Sequence, residues 1–124
     1  MVPYVVKVFG DHLGALMVGV RFASKFPAAK PAKLVVITTS PAGASEKPDH
    51  LSWRRVTFQC SDTAGELASY NLCETVRKHV LASRFASIGV RVVDIIGEPA
   101  NLPDPDDGSD RFQLTADVLM RVAP

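Results

Sequence analysis

Apolar residues recur at helical spacing near the start of the chain. Val5, Phe9, Leu13 and Leu16 share one face while Lys7 and Asp11 fall on others, so an amphipathic helix is predicted from Pro3 to about Leu16. Pro3 suits its first turn, and Gly10 and Gly14 weaken it by about 1 kcal/mol each relative to alanine. Met17, Val18 and Val20 predict a short extended piece, and Pro27 and Pro31 forbid a continuous helix before the next element. Leu34 to Thr39 is apolar and β-branched, which is strand chemistry. Arg54 to Cys60 alternates: Val56, Phe58 and Cys60 turn to one face, Arg55, Thr57 and Gln59 to the other. Between these two strands the segment 40–53 is rich in Pro, Gly, Ser and charge. It is far longer than a hairpin needs and reads as a functional loop.

Ser61-Asp62-Thr63 predicts the start of the longest helix. Thr63 and Glu66 have capping-box spacing, and Asp62 and Glu66 place negative charge where the helix dipole favours it. Ala64, Ala68, Leu72, Val76 and Val80 form the predicted buried stripe, and the helix should fade near Ser83. Val90 to Ile96 is a third strand. Residues 97–110, with three prolines and two glycines, are predicted to be irregular. The final strand alternates, with Phe112, Leu114, Ala116, Val118, Met120 and Val122 inward and Gln113, Thr115, Asp117 and Arg121 outward.

Strands 34–39 and 54–60 can pair as one antiparallel hairpin, and 90–96 with 111–122 as another. Both helices can then cover one face of the sheet. The expected fold is α+β: a two-layer sandwich of a mostly antiparallel sheet with two helices packed on one face, in a single domain over residues 1–124. At 124 residues the chain buries roughly two-thirds of its unfolded surface, enough for a core without staples or metals.

Composition is that of an ordinary globular domain, 47% hydrophobic and 22% charged. The net charge of +1 gives no bulk case for binding nucleic acid. That sum hides a split: residues 1–60 carry eight Lys/Arg against three Asp/Glu, and residues 61–124 six against ten. No apolar run approaches a membrane span, and Met1-Val2-Pro3-Tyr4 begins no secretory signal, so synthesis in a cytoplasm is expected. Cys60 and Cys73 form no CxxC and are expected as reduced, packed thiols. His12, His50 and His79 have no zinc-site spacing, and no GxSxG, P-loop or GxGxxG occurs. The Asp104, Asp106, Asp107, Asp110 cluster fails the EF-hand spacing, because the twelfth position is Thr115 rather than glutamate. No acid/base pair or nucleophile can be nominated, so an enzyme is not expected.

Three segments carry a family likeness. They are Val56-Thr57-Phe58-Gln59-Cys60-Ser61-Asp62-Thr63-Ala64-Gly65-Glu66-Leu67-Ala68, Gly97-Glu98-Pro99-Ala100-Asn101-Leu102-Pro103-Asp104-Pro105, and Arg111-Phe112-Gln113-Leu114-Thr115 leading into the last strand. In their order and spacing the chain resembles the tail terminator proteins of long-tailed siphophages. Cys60 departs from the small residue the family tends to carry there. The resemblance implies a ring, usually a hexamer, that caps the end of the tail tube and stops its polymerisation. It also implies a surface for joining the head, with no cofactor and no membrane. The implied partners are the chain itself, the major tail tube protein and a head-completion or neck protein, with DNA passing through the lumen without specific binding. The implied location is the virion's head–tail junction, after assembly in the host cytoplasm.

A ring uses heterologous contacts, and opposite charges on the two patches would fix its register. On that ground Arg21, Lys25, Lys33, Trp53, Arg54 and Arg55 are expected at interfaces, as are Glu98, Asp104, Asp106, Asp107, Asp110 and Arg111. The acidic loop is expected at the lumen, and the 40–53 loop on the tube. A neighbouring neck or tail-completion protein, or a small ligand-binding or regulatory α+β domain, stay open as alternatives.

Overall fold

Every strand expected from the β-branched runs finds a partner in one sheet. The computed structural model describes residues 4–27, 31–40, 51–105 and 107–121, with Leu51 described by its backbone alone. Pro3, His50, Asp106, Val122 and residues 41–50 of the long loop lie outside the described residues. The elements are α1 (Val5–Leu16), β1 (Arg21–Ala23), β2 (Lys33–Ser40), β3 (Leu51–Asp62), α2 (Glu66–Ala82), a 3-10 turn (Ser83–Phe85), β4 (Val90–Asn101) and β5 (Phe112–Arg121). The five strands lie in the order β1-β2-β3-β5-β4. β1 runs parallel to β2, and every other pair is antiparallel. The fold is an α+β sandwich with both helices on one face of the sheet.

The core lies between those layers. Phe9 and Leu13 of α1 and Cys73, Val76 and Val80 of α2 meet Ile37, Phe58, Leu114 and Val118 of the sheet, all essentially excluded from water. Phe9 and Phe58 make an edge-to-face pair with centroids 5.7 Å apart. Such pairing adds to the burial of two large rings. Leu16, expected in the stripe of α1, is instead exposed. The helix ends there, and Met17 takes the buried position. The extended piece expected at Met17–Val20 is a turn through Gly19 (φ +87°), and the edge strand begins at Arg21.

Two further expectations fail for local reasons. Thr63 does not cap α2: the helix begins only at Glu66, and the Thr63 N–H that Glu66 would receive in a capping box is donated to the Ala32 carbonyl (2.9 Å). The cap is Gly65 at φ 121°, ψ −166°. The buried face of α2 begins at Ser69, and Ala64 precedes the helix and is exposed. Ser69 Oγ accepts the Asp62 N–H and donates to the Gly65 carbonyl, both at 2.9 Å, tying the helix to the end of β3.

β4 runs five residues further than expected. It is an edge strand, where a proline costs no ladder bond if its missing N–H faces outward. Between Ile96 and Ala100 four steps of β4 span two of β5, and Gly97 (φ +72°) accommodates the bulge. Residues 102–105 and 107–110 then continue the hairpin as a tip. Leu102 N–H donates to the Arg111 carbonyl (2.8 Å), and Asp104 N–H to that of Ser109 (2.9 Å). We call this end of the molecule the tip end. The opposite end, where Gly89 accepts the Arg121 N–H at 2.8 Å, is the base end.

Cys60 on β3 and Cys73 on α2 are both buried free thiols. The hydrogen bond with Cys73 and then burial push the Cys60 thiol well above its ordinary 9.0. Only the unfolded chain can therefore ionise Cys60 near pH 9. This contribution to stability is fully present below that pH and is lost as pH rises through the folded value. Unfolding midpoints measured from pH 7 to 10 should fall above pH 9 and flatten in Cys60→Ala. Neither thiol should react with a soluble disulfide reagent until the chain unfolds.

Candidate interaction surfaces

The face of the sheet turned away from the helices is built of matched rungs across β3 and β5. Gln59 Nε2 donates to Gln113 Oε1 (3.2 Å), Thr57 and Thr115 hydroxyls stand 3.5 Å apart, and Arg55 grips Asp117 through two bonds of 2.8 and 2.9 Å. Trp53 and Leu119 form the next rung towards the base end, and Val92 of β4 is level with them. All of these β3 and β5 side chains are half-buried. Opposite pairs of this kind stabilise a sheet without help from a second layer. The paired guanidinium of Arg55 is held above its ordinary value by the hydrogen bond to Asp117.

This face is not uniformly polar. Leu34 and Val36 of β2 are buried on it, while Val92 and Ile96 of edge strand β4 are exposed on it. The chain leaving β1 reaches over the same face, for the Phe26 ring lies 5.3 Å from the Arg111 guanidinium. Arg111 Nε also donates to the Leu102 carbonyl (3.2 Å), so this cation anchors the base of the tip.

The residues expected at interfaces do not form one basic surface. Arg21 and Lys33 are exposed on the β1–β2 side, with Lys25 exposed two residues past β1. Arg54 and Arg55, adjacent in sequence, point to opposite faces of β3. Arg54 Nη1 bonds the Ser52 hydroxyl and the Trp53 carbonyl (2.9 Å), whereas Arg55 is committed to Asp117. The acidic residues do gather: Glu98 is on β4, and Asp104, Asp107 and Asp110 are on the tip. The tip is internally braced, with Asp107 Oδ1 accepting the Ser109 N–H (2.9 Å) and Asp110 Oδ1 accepting from Asn101 Nδ2 (3.3 Å).

A second basic group, at the base end, was missed in sequence. Arg77 and Lys78 on α2 and Arg84 on the turn line one surface there, and Arg91 at the start of β4 and Arg121 at the end of β5 lie at the same end of the sheet. Summing charge by chain halves concealed them, since they share a half with the acidic tip. The signal was available, because an antiparallel 90–96/111–122 hairpin puts Arg91 beside Arg121. Phe85, 76% exposed, lies at this end with the Arg84 guanidinium 4.6 Å over its ring.

Among the described residues no three His, Cys, Asp or Glu side chains come together as a metal site. No described helix is long and apolar enough to cross a membrane. No model of a known protein family matches the chain, and no curated protein matches it either.

Proposed function

We propose that this protein is a structural subunit of a siphophage virion, a tail terminator that assembles into a ring on the end of the tail tube. The ring, a hexamer on this reading, stops tube polymerisation and offers its other side to the head-completion protein. DNA passes through its lumen without specific contacts.

One observation carries the reading. The first of the three segments on which the resemblance rests is separated from the other two by most of α2 and the start of β4, while the second and third are the two arms of the β4–β5 hairpin, and all three adjoin at the tip end. Phe112 is opposite both Cys60 and Asn101, and Gln113 is opposite Gln59 and Ala100. Segments scattered through a chain have reason to share a pattern when together they make one working surface. The surfaces themselves suit assembly, with a long open strand edge at β4, a half-buried sheet face, and ends of opposite charge. A head-to-tail ring needs unlike patches of this sort.

The purified chain should form ring-shaped particles in negative stain, with a mass several times its 13.4 kDa by light scattering. A monomer or simple dimer at all concentrations would contradict the reading and favour the small-ligand alternative.

A further inference from the structure

The two ends of the molecule differ in charge along the strand axis. Between its pairings with Met120 and Phe112, β4 spans eight steps of β5, about 26 Å at roughly 3.3 Å each, so its ends are well separated. α2 runs the same way, from Gly65 and Ser69 bonded near the end of β3 at the tip end to Val80 near the base end. Asp104, Asp107 and Asp110 occupy the tip, and Arg77, Lys78, Arg84, Arg91 and Arg121 the base end. Cations near a helix C-terminus answer to the dipole, but Arg91 and Arg121 sit on strands and have no such reason to be there.

The base end also offers a contact surface. A shallow, open groove on the outer side of α2 is lined by Glu74, Arg77, Lys78, Leu81, Arg84 and Phe85, with Asn71 and Thr75 beside them. Glu74 and Arg77 are 3.5 Å apart and offset one another, while Lys78 and Arg84 are exposed. The tip matches this groove in both chemistries. Beside its carboxylates it exposes Leu102, Pro103 and Pro105, an apolar counterpart for Phe85. Its two described arms are joined by backbone hydrogen bonds from Leu102 to Arg111 and from Asp104 to Ser109, which reduces the entropy lost on docking.

We infer that the acidic tip of one subunit docks in the basic groove at the base end of a second copy of this chain. The inference rests on the self-assembly in the proposed function and deepens it by naming the contact. It places the tip between subunits. Because each subunit carries both halves of the contact at separate ends, the contact is heterologous and can propagate round a ring. Charge at its centre would set register and encounter rate.

The test is sedimentation of the full chain at physiological salt, in four forms: unmodified, K78E/R84E, D107K/D110K, and the combination of all four changes. Each pair of reversals should weaken association at least about ten-fold by setting like charges together. The fourfold variant, with both signs exchanged, should regain most of it. Circular dichroism and thermal unfolding of each variant separate lost contacts from lost fold. Reversals that leave association unchanged, or a folded fourfold variant as weak as either pair, overturn the inference and leave the ring standing. A monomer under all conditions overturns both. If K78E/R84E abolishes retention of a DNA duplex and leaves self-association intact, the groove is a nucleic-acid site and the inference fails.

Discussion

Phe58→Ala should lower stability by about 3–5 kcal/mol, the usual cost of emptying a large aromatic site in a core. Phe58 is fully excluded from water on β3 and meets the edge of Phe9, so it joins the sheet to α1. Its other neighbours lie on β2 and β5 in register, at Ile37 and Leu114, both themselves buried. For a domain whose whole stability is about 5–15 kcal/mol, the loss is a large fraction. Calorimetry should show the midpoint falling by roughly 10–20 °C. A change under about 1 kcal/mol would mean that the α1 layer does not sit where it is described.

Gly65→Val should cost about 1–3 kcal/mol through the backbone alone. Gly65 caps α2 at φ 121°, ψ −166°, a conformation essentially confined to glycine. Space is not the obstacle, because an added Cβ would meet nothing within 4 Å. The strain would loosen the junction at which Ser69 ties α2 to Asp62, within the longest of the segments carrying the family resemblance. Denaturant unfolding should show a lower midpoint with an unchanged slope. If Gly65→Ala and Gly65→Val leave the midpoint unmoved, this cap geometry is wrong.

These two positions also show what the sequence makes legible. Phe58 could be placed from alternation alone, because period-two patterning assigns a strand's faces wherever one is buried. The same holds for Leu114 to Met120, whereas Leu34 to Ile37 is apolar at every position and buried on both faces. Gly65 could not be placed, for Thr63 and Glu66 offered the better cap by spacing. The Thr63 N–H that this capping box would use goes instead to the Ala32 carbonyl, a partner supplied by tertiary structure. The pairing of β3 with β5 was equally hidden, since about 50 residues separate the strands and nothing local records it. Once made, that pairing creates the Arg55–Asp117 and Gln59–Gln113 rungs and gives Arg55 a carboxylate partner within its own chain. Pro99 misled in the other direction. Proline excludes a central strand but not an edge strand with a bulge, and edge status is a property of the sheet.

The candidate surfaces followed the same division. The acidic tip was readable because its carboxylates lie close together in one stretch of sequence. The basic base end was not, because Arg77, Lys78, Arg84, Arg91 and Arg121 belong to four elements that only the fold assembles. The near-zero net charge of the chain therefore describes a molecule with two charged ends rather than a neutral surface.

The central claim is that this chain ends tail growth, and tail length reads it directly. Electron microscopy of phage particles produced without this protein should show tubes far longer than normal and without heads. Supplying the protein should restore uniform, head-joined tails. Tails of normal length joined to heads in its absence would contradict the account.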